Sequence, residues 1–147
     1  MQYKITPPTH IEDTILLPAS KSISNRALII HALAGGNIMP ENLSTCDDTA
    51  VIARAFKDNP YEIDIMAAGT AMRFMTAYLS VTEGEHVLTG TERMKQRPIK
   101  ILVDALRFLG ADIQYTGEEG FPPLLIKGKK LKGGSVEVAG NVSSQYV

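Results

Sequence analysis

Pro18-Ala19-Ser20-Lys21-Ser22-Ile23-Ser24-Asn25-Arg26 is the stretch whose reading decides the fold. It opens an amphipathic helix with hydroxyls and two cations. The first turn of such a helix has unpaired N–H groups, sits at the positive end of the helix dipole, and here adds the charges of Lys21 and Arg26. Ser22 and Arg26 are one helical turn apart and can face one ligand. The stretch is therefore an anion socket.

Working outward, the theme recurs at Ala68-Gly69-Thr70-Ala71-Met72-Arg73 and again at Gly140-Asn141-Val142-Ser143-Ser144-Gln145. One socket is weak evidence, because Ser and Thr cap many helices. Three in 147 residues indicate a repeated unit and a polyanionic ligand.

Hydrophobic period and punctuation predict the elements between the sockets. Strands are expected at 3–6 and 14–17, parted by Pro7-Pro8. A helix then runs to about Ala34, burying Ile23, Ala27, Ile30 and Ala34, and Gly35-Gly36 end it. After an extended 37–43, Asp47 N-caps a helix to about Lys57 with apolar rows Val51/Ala55 and Ile52/Phe56, stopped by Asn59-Pro60. A strand at 62–66 leads to a helix at 70–81 packed through Met72, Met75 and Leu79. A strand at 86–89 leads to the polar loop 90–97. Ile99, Leu102, Val103, Leu106 and Leu109 give the clearest helical period, closed by Gly110. Strands at 112–115, 124–127 and 135–138 follow. This order, helix-strand-helix-strand from the first socket and helix-strand-helix-strand-strand from the second, makes an α/β protein with an internal repeat of roughly fifty to seventy residues. A third copy starting at Val142 breaks off at Val147, so the chain is expected to be a fragment of a longer protein.

Composition narrows the function classes. With 44% apolar and 21% charged residues the chain is ordinary globular material, and 15 basic against 16 acidic residues leave a net charge of −1. That lacks the basic excess of a nucleic-acid binder, so neither nucleic acid nor membrane is an expected partner. Cys46 stands alone, excluding an intrachain disulfide, and no apolar run approaches membrane-spanning length. A cytoplasmic location fits best.

Six strings occur in a telling order: Ser20-Lys21-Ser22-Ile23-Ser24-Asn25-Arg26-Ala27, Ala68-Gly69-Thr70-Ala71-Met72-Arg73, Leu88-Thr89-Gly90, Arg93-Met94-Lys95-Gln96-Arg97-Pro98-Ile99, Leu102-Val103-Asp104-Ala105-Leu106 and Val142-Ser143-Ser144-Gln145. Together they cover nearly the whole chain and resemble the 5-enolpyruvylshikimate-3-phosphate synthase family. The resemblance implies the inside-out enolpyruvyl transferase fold, with two lobes of three βαβαββ units each and the active site between them. Residues 1–18 would then be leading strands that join the other lobe. Residues 19–147 would be an incomplete lobe of two units and the start of a third.

The resemblance further implies transfer of the enolpyruvyl group of phosphoenolpyruvate to the 5-hydroxyl of shikimate 3-phosphate, with release of phosphate. Lys21 would be catalytic, contacting phosphoenolpyruvate and the reacting hydroxyl, while Ser22 and Arg26 hold the shikimate carboxylate. Ser143 and Ser144 would bind the shikimate phosphate, and Gln145 would touch both substrates. Gly69 and Arg97 would bind phosphoenolpyruvate, with Thr70 and Arg73 supporting the site edge. No cofactor or metal is implied. The missing second lobe would be the chain's partner and supply the main acid/base carboxylates, so the isolated chain is expected to be inactive. Two residues depart from the family pattern: Ala67 replaces a usual Asn, and Phe74 a usual Pro.

Plainer readings stand beside these. Ser20 and Thr70 alone read as caps, and Asp47 and Asp48 as a capping pair. Lys127, Lys129, Lys130 and Lys132 read as a solvated turn, and Cys46, Met66, Met72 and Met75 as packing residues. His10, His31 and His86 lack metal-ligand spacing. Two alternative functions remain: the sister UDP-N-acetylglucosamine enolpyruvyl transferase, disfavoured by Lys21-Ser22 in place of Lys-Asn and by a 93–97 loop without Cys, and a non-catalytic anion-binding domain.

Overall fold

The chain is seen in a computed structural model that describes residues 2–138, 141 and 144–146. Its centre is a sheet whose alternating apolar residues point to one face. Strands β1 (Glu62–Asp64), β2 (Gly84–Thr89), β3 (Asp112–Tyr115) and β4 (Leu124–Gly128) lie in the order β1-β2-β4-β3. β1 and β2 run parallel and the other pairs antiparallel. The register stacks Ile63, Leu88 and Leu124 in one row and Ile126 with Ile113 in another, all buried.

Parallel β1 and β2 require a crossover, and helix α3 (Gly69–Val81) supplies it. It lies on the sheet with Met72, Met75 and Leu79 buried. Its last turn comes so close to β4 that a Cβ on Gly128 would collide with the Thr82 carbonyl oxygen. Helix α5 (Lys100–Phe108) buries Leu102, Val103 and Leu106, as its period predicts. Arg107 at its end donates to the Ile113 carbonyl at 2.8 and 2.6 Å and stacks on Tyr115. Residues 62–128 thus form one complete βαβαββ unit. The loop between β2 and α5 contains a short helix, α4 (Glu92–Lys95), that the polar sequence did not suggest; buried Met94 anchors it.

Helices α1 (Lys21–Leu33) and α2 (Asp47–Asp58) pack on α3 and on each other. Ser20 caps α1 through the Ile23 N–H. Asp47 does not cap α2 as predicted. The N-cap is Cys46, and Asp47 falls on the first helical residue. Asn59 ends α2 in the left-handed conformation at φ 41°, and Pro60 bars continuation.

The apolar stripe expected on α1 faces outward. Ile23 is 70% and Ile30 66% exposed, while Ser24, Asn25 and Leu28 are buried. The reason is a polar seam: Ser24 Oγ accepts from the Ser44 N–H at 2.8 Å, and Thr49 donates to Asn25 Oδ1 at 2.7 Å. Those bonds choose which face of α1 meets α2.

The strands expected at 3–6, 14–17 and 135–138 are not formed. Neither edge strand of the sheet takes up another strand among the described residues, and without a ladder partner an extended segment is not a strand. Ile5, Ile15, Leu16 and Leu17 are accordingly exposed.

Candidate functional site

The site is built at the N-terminal ends of helices. Lys21 and Ser22 are the first two residues of α1, both exposed, and Arg26 follows one turn later. The Arg26 guanidinium donates to the Ser22 carbonyl oxygen at 3.1 Å and lies 5.3 Å over the Phe74 ring of α3. Phe74, one of the two departures from the family pattern, is thus a platform for a predicted ligand arginine. Lys21 Nζ stands 3.5 Å from Asp48 in the first turn of α2.

Gly69 and Thr70 open α3, and Thr70 proves not to be a cap, since the helix starts one residue earlier after Ala68. Its hydroxyl instead accepts from the Gln145 side-chain amide at 3.0 Å. Arg73 donates to Gln145 Oε1 at 2.9 Å and to the Gly69 carbonyl oxygen at 3.2 Å, and lies 5.2 Å over the Tyr146 ring. Tyr146 in turn donates to the Pro98 carbonyl oxygen at 2.9 Å. Arg73, Gln145 and Tyr146 therefore tie the second socket, the third socket and the Arg97 loop into one assembly.

Gly69 has a reason the sequence did not supply. A Cβ there would lie 2.6 Å from Arg97 Cζ, so the glycine makes room for the guanidinium rather than for a ligand alone. Arg97 is exposed. Buried Met94 and the Arg97 N–H to Met94 carbonyl bond at 2.9 Å hold its loop.

Of the predicted residues, Gly69, Thr70, Arg73, Arg97 and Gln145 come together, and Arg26 adjoins them through Phe74. Lys21 and Ser22 sit beyond Arg26, at the start of α1. Ser143 lies outside the described residues, as does the side chain of Ser144, whose backbone begins a 3₁₀ turn, Ser144–Tyr146. The enclosed recess between Gly69, Arg73 and Arg97 holds only about 10 Å³, so these groups form an open rim and not a closed pocket. A cavity of about 900 Å³ lies at the opposite, C-terminal ends of α1, α2 and α3, lined by His31, Arg54 and His86 and by none of the predicted site residues.

Sequence reasoning missed Asp48 and Tyr146. Asp48 was masked by its neighbour Asp47, since a pair of acids at a helix start reads as capping. Tyr146 had no signal beyond adjoining Gln145. Cys46, read from the sequence as a packing residue, is the half-buried N-cap of α2, its Sγ 3.4 Å from Thr49 Oγ1; burial pushes its thiol up, but hydrogen bonds with Ser44 and Thr49 outweigh that and hold it below its usual value. His86 is buried against the Pro60 carbonyl, Nδ1 to oxygen 2.8 Å. Among the described residues there is no cluster of three or more His, Cys, Asp or Glu suited to a metal ion, and no helix long and apolar enough to cross a membrane.

The fold and the rim define an α/β protein built on a βαβαββ unit, with arginines and helix N-termini gathered on one side. Comparison makes this particular: the sequence profile of EPSP synthase (3-phosphoshikimate 1-carboxyvinyltransferase) matches residues 5–58 and 53–147, and the chain belongs to that family. The 3-phosphoshikimate 1-carboxyvinyltransferase of Bacteroides fragilis is 62% identical over 147 residues, covering 100% of this chain and 36% of the relative. That of Mannheimia succiniciproducens is 41% identical, covering 97% and 40%. The solved EPSP synthase of Acinetobacter baumannii superposes with a TM-score of 0.73 at 25% identity, over 90% of this chain and 35% of that one. The chain thus spans little more than a third of the length of such relatives.

Proposed function

We propose that this chain forms one wall of the active site of a 3-phosphoshikimate 1-carboxyvinyltransferase. The protein of which it is part would move the enolpyruvyl group of phosphoenolpyruvate to the 5-hydroxyl of shikimate 3-phosphate and release phosphate, in aromatic amino acid biosynthesis. The single observation carrying this is the assembly of Thr70, Arg73 and Gln145, which brings residues 72 and 75 positions apart into direct contact at the helix ends.

Both substrates are anions that repel each other, so bringing them together is a large part of the catalytic task. Arg26 and Ser22 are suited to a carboxylate, the guanidinium offering a planar two-pronged fork. Phe74 lies beneath Arg26 and supports the guanidinium through its ring face. Arg97, made room for by Gly69, is suited to the phosphate of phosphoenolpyruvate, while Gln145, held by Thr70 and Arg73, would touch both substrates. Ser143 and Ser144 complete the proposed set at the shikimate phosphate.

In the addition step the 5-hydroxyl oxygen bonds to the central carbon of phosphoenolpyruvate and loses its proton while the terminal carbon gains one, giving a tetrahedral adduct; in the elimination that follows the terminal carbon gives up a proton as phosphate leaves, restoring the carbon–carbon double bond. Lys21 would reach the reacting hydroxyl and phosphoenolpyruvate, stabilising charge as it moves toward the leaving group. The acid/base carboxylates come from the other lobe, with which residues 1–18 would pair, leaving 19–147 as the incomplete lobe. The exposed Ile5, Ile15, Leu16 and Leu17 support that division. A cytoplasmic place is proposed from the lone cysteine and the composition.

The test is an assay of phosphate release from phosphoenolpyruvate and shikimate 3-phosphate. A full-length protein carrying this chain should turn over, and the 147-residue chain alone should not. A full-length protein inert with this pair but active with UDP-N-acetylglucosamine would select the sister transferase.

A further inference from the structure

Asp48 is the one acidic side chain that touches a proposed catalytic group among the described residues, and helix capping does not explain it. Cys46 is the N-cap of α2, and Asp48 is the second helical residue. Its side chain, only 19% exposed, points across to Lys21, with Oδ1 3.5 Å from Nζ. We propose that Asp48 is a positioning residue for Lys21, holding its ammonium over the site rim so that it meets the reacting oxygens. The inference rests on the reading of Lys21 given above.

Three observations carry it. Lys21 is the first residue of α1, where the helix dipole repels an ammonium, and its stem is half exposed with four rotatable carbons. Left to itself the group would be dispersed through solvent.

Asp48, by contrast, is favoured where it stands, since a carboxylate is stabilised at a helix N-terminus. Its backbone is pinned to that of Lys21 by the buried seam. Thr49, the next residue, donates to Asn25 at 2.7 Å, and both are at most 1% exposed. Ser44 N–H donates to Ser24 at 2.8 Å. Ser24 and Asn25 belong to the first turns of α1, so the start of α2 is fixed against the start of α1.

The third observation is the looseness of the pair. At 3.5 Å and with its lysine half exposed, the pair contributes little to stability. An ammonium has three N–H donors, and one carboxylate oxygen on one side leaves the others to point at two anions.

The experiment is steady-state kinetics on a full-length protein carrying this chain, with Asp48→Ala, Asp48→Asn, Lys21→Ala and the double variant, each also followed by thermal unfolding. Asp48→Ala is expected to lower kcat about tenfold while KM for shikimate 3-phosphate shifts less than about twofold. Asp48→Asn, which keeps an oxygen acceptor, is expected to recover part of that loss. In the Lys21→Ala background, Asp48→Ala should have no further effect on kcat. The proposal is overturned if the two losses multiply, if Asp48→Ala acts only on KM, or if it changes nothing. Should Asp48→Ala not fold, the same cycle with Asp48→Asn decides the matter. If Lys21→Ala alone leaves kcat unchanged, the role given to Lys21 falls first and that of Asp48 with it, a result distinct from loss at Lys21 without coupling.

Discussion

Helices α5 and α1 both carry an apolar period, clearer on α5, and they end in opposite surroundings. On α5 the periodic residues Leu102, Val103 and Leu106 are buried against the unit that spans 62–128. On α1 the periodic residues Ile23 and Ile30 face outward, and the chain buries Ser24 and Asn25 instead. Periodicity reports that a helix has an apolar face; what covers that face depends on which neighbours are present. Around α5 the sheet supplies them. Beside α1 lies an apolar groove of about 550 Å³, lined by Ile29, Ile30, Leu33, Phe74, Ala77 and Val81, whose rim includes Arg26 and Gln145.

The comparison breaks if the closed unit is not where stability resides. Leu88→Ala, at a fully buried position in the middle of the sheet, is expected to lower unfolding free energy by about 3 kcal/mol. Ile30→Ser on the outer face of α1 should change it by less than about 0.5 kcal/mol. Urea denaturation of both variants checks this, and comparable losses would place the core elsewhere.

The same contrast sharpens at the ligand. Arg26→Ala removes a charged partner from the open side and is expected to weaken shikimate 3-phosphate binding by a full-length protein by about 2 kcal/mol. Its effect on folding should be small, because Arg26 is exposed. Unchanged affinity would remove Arg26 from the site.

How far the sequence could be read follows from the same physics. The elements of the closed unit were legible because each has its partners within a few dozen residues, so propensity, period and burial agree. The sockets were legible as chemistry: small residues, hydroxyls and cations at helix starts. Their mutual contacts were not, because the Arg73–Gln145 and Gly69–Arg97 meetings join positions 72 and 28 apart without any periodic trace. The polar seam under α1 was hidden for a related reason. Ser24 and Asn25 look like solvent-facing residues until Ser44 and Thr49 are brought against them.

That seam can be tested directly. Thr49→Val keeps the shape and deletes the bond to Asn25, whose amide nitrogen is already without a partner, at an expected cost of about 1–2 kcal/mol in stability. An unaffected midpoint would mean that apolar contact alone orients α1.

The smallest effect belongs to the surface of the closed unit. A hydrogen bond from Lys100, 2.7 Å away, holds the Glu119 carboxyl below its usual value. A lowered folded-state value stabilises above the unfolded carboxyl value and is lost as pH falls through the folded one. Glu119→Gln should therefore be slightly less stable than the parent chain near pH 7, and the difference should close as pH drops through and below about 4.3. A gap that persists in acid would assign it to packing.

The most direct test of the central claim, that this chain carries a substrate-selective wall and not a bare phosphate socket, is calorimetric titration of the chain with shikimate 3-phosphate against inorganic phosphate at equal ionic strength. Tighter binding of the shikimate ester, with the preference abolished by Arg26→Ala, is the predicted result. Equal affinity for the two anions, or a preference that survives Arg26→Ala, would contradict it.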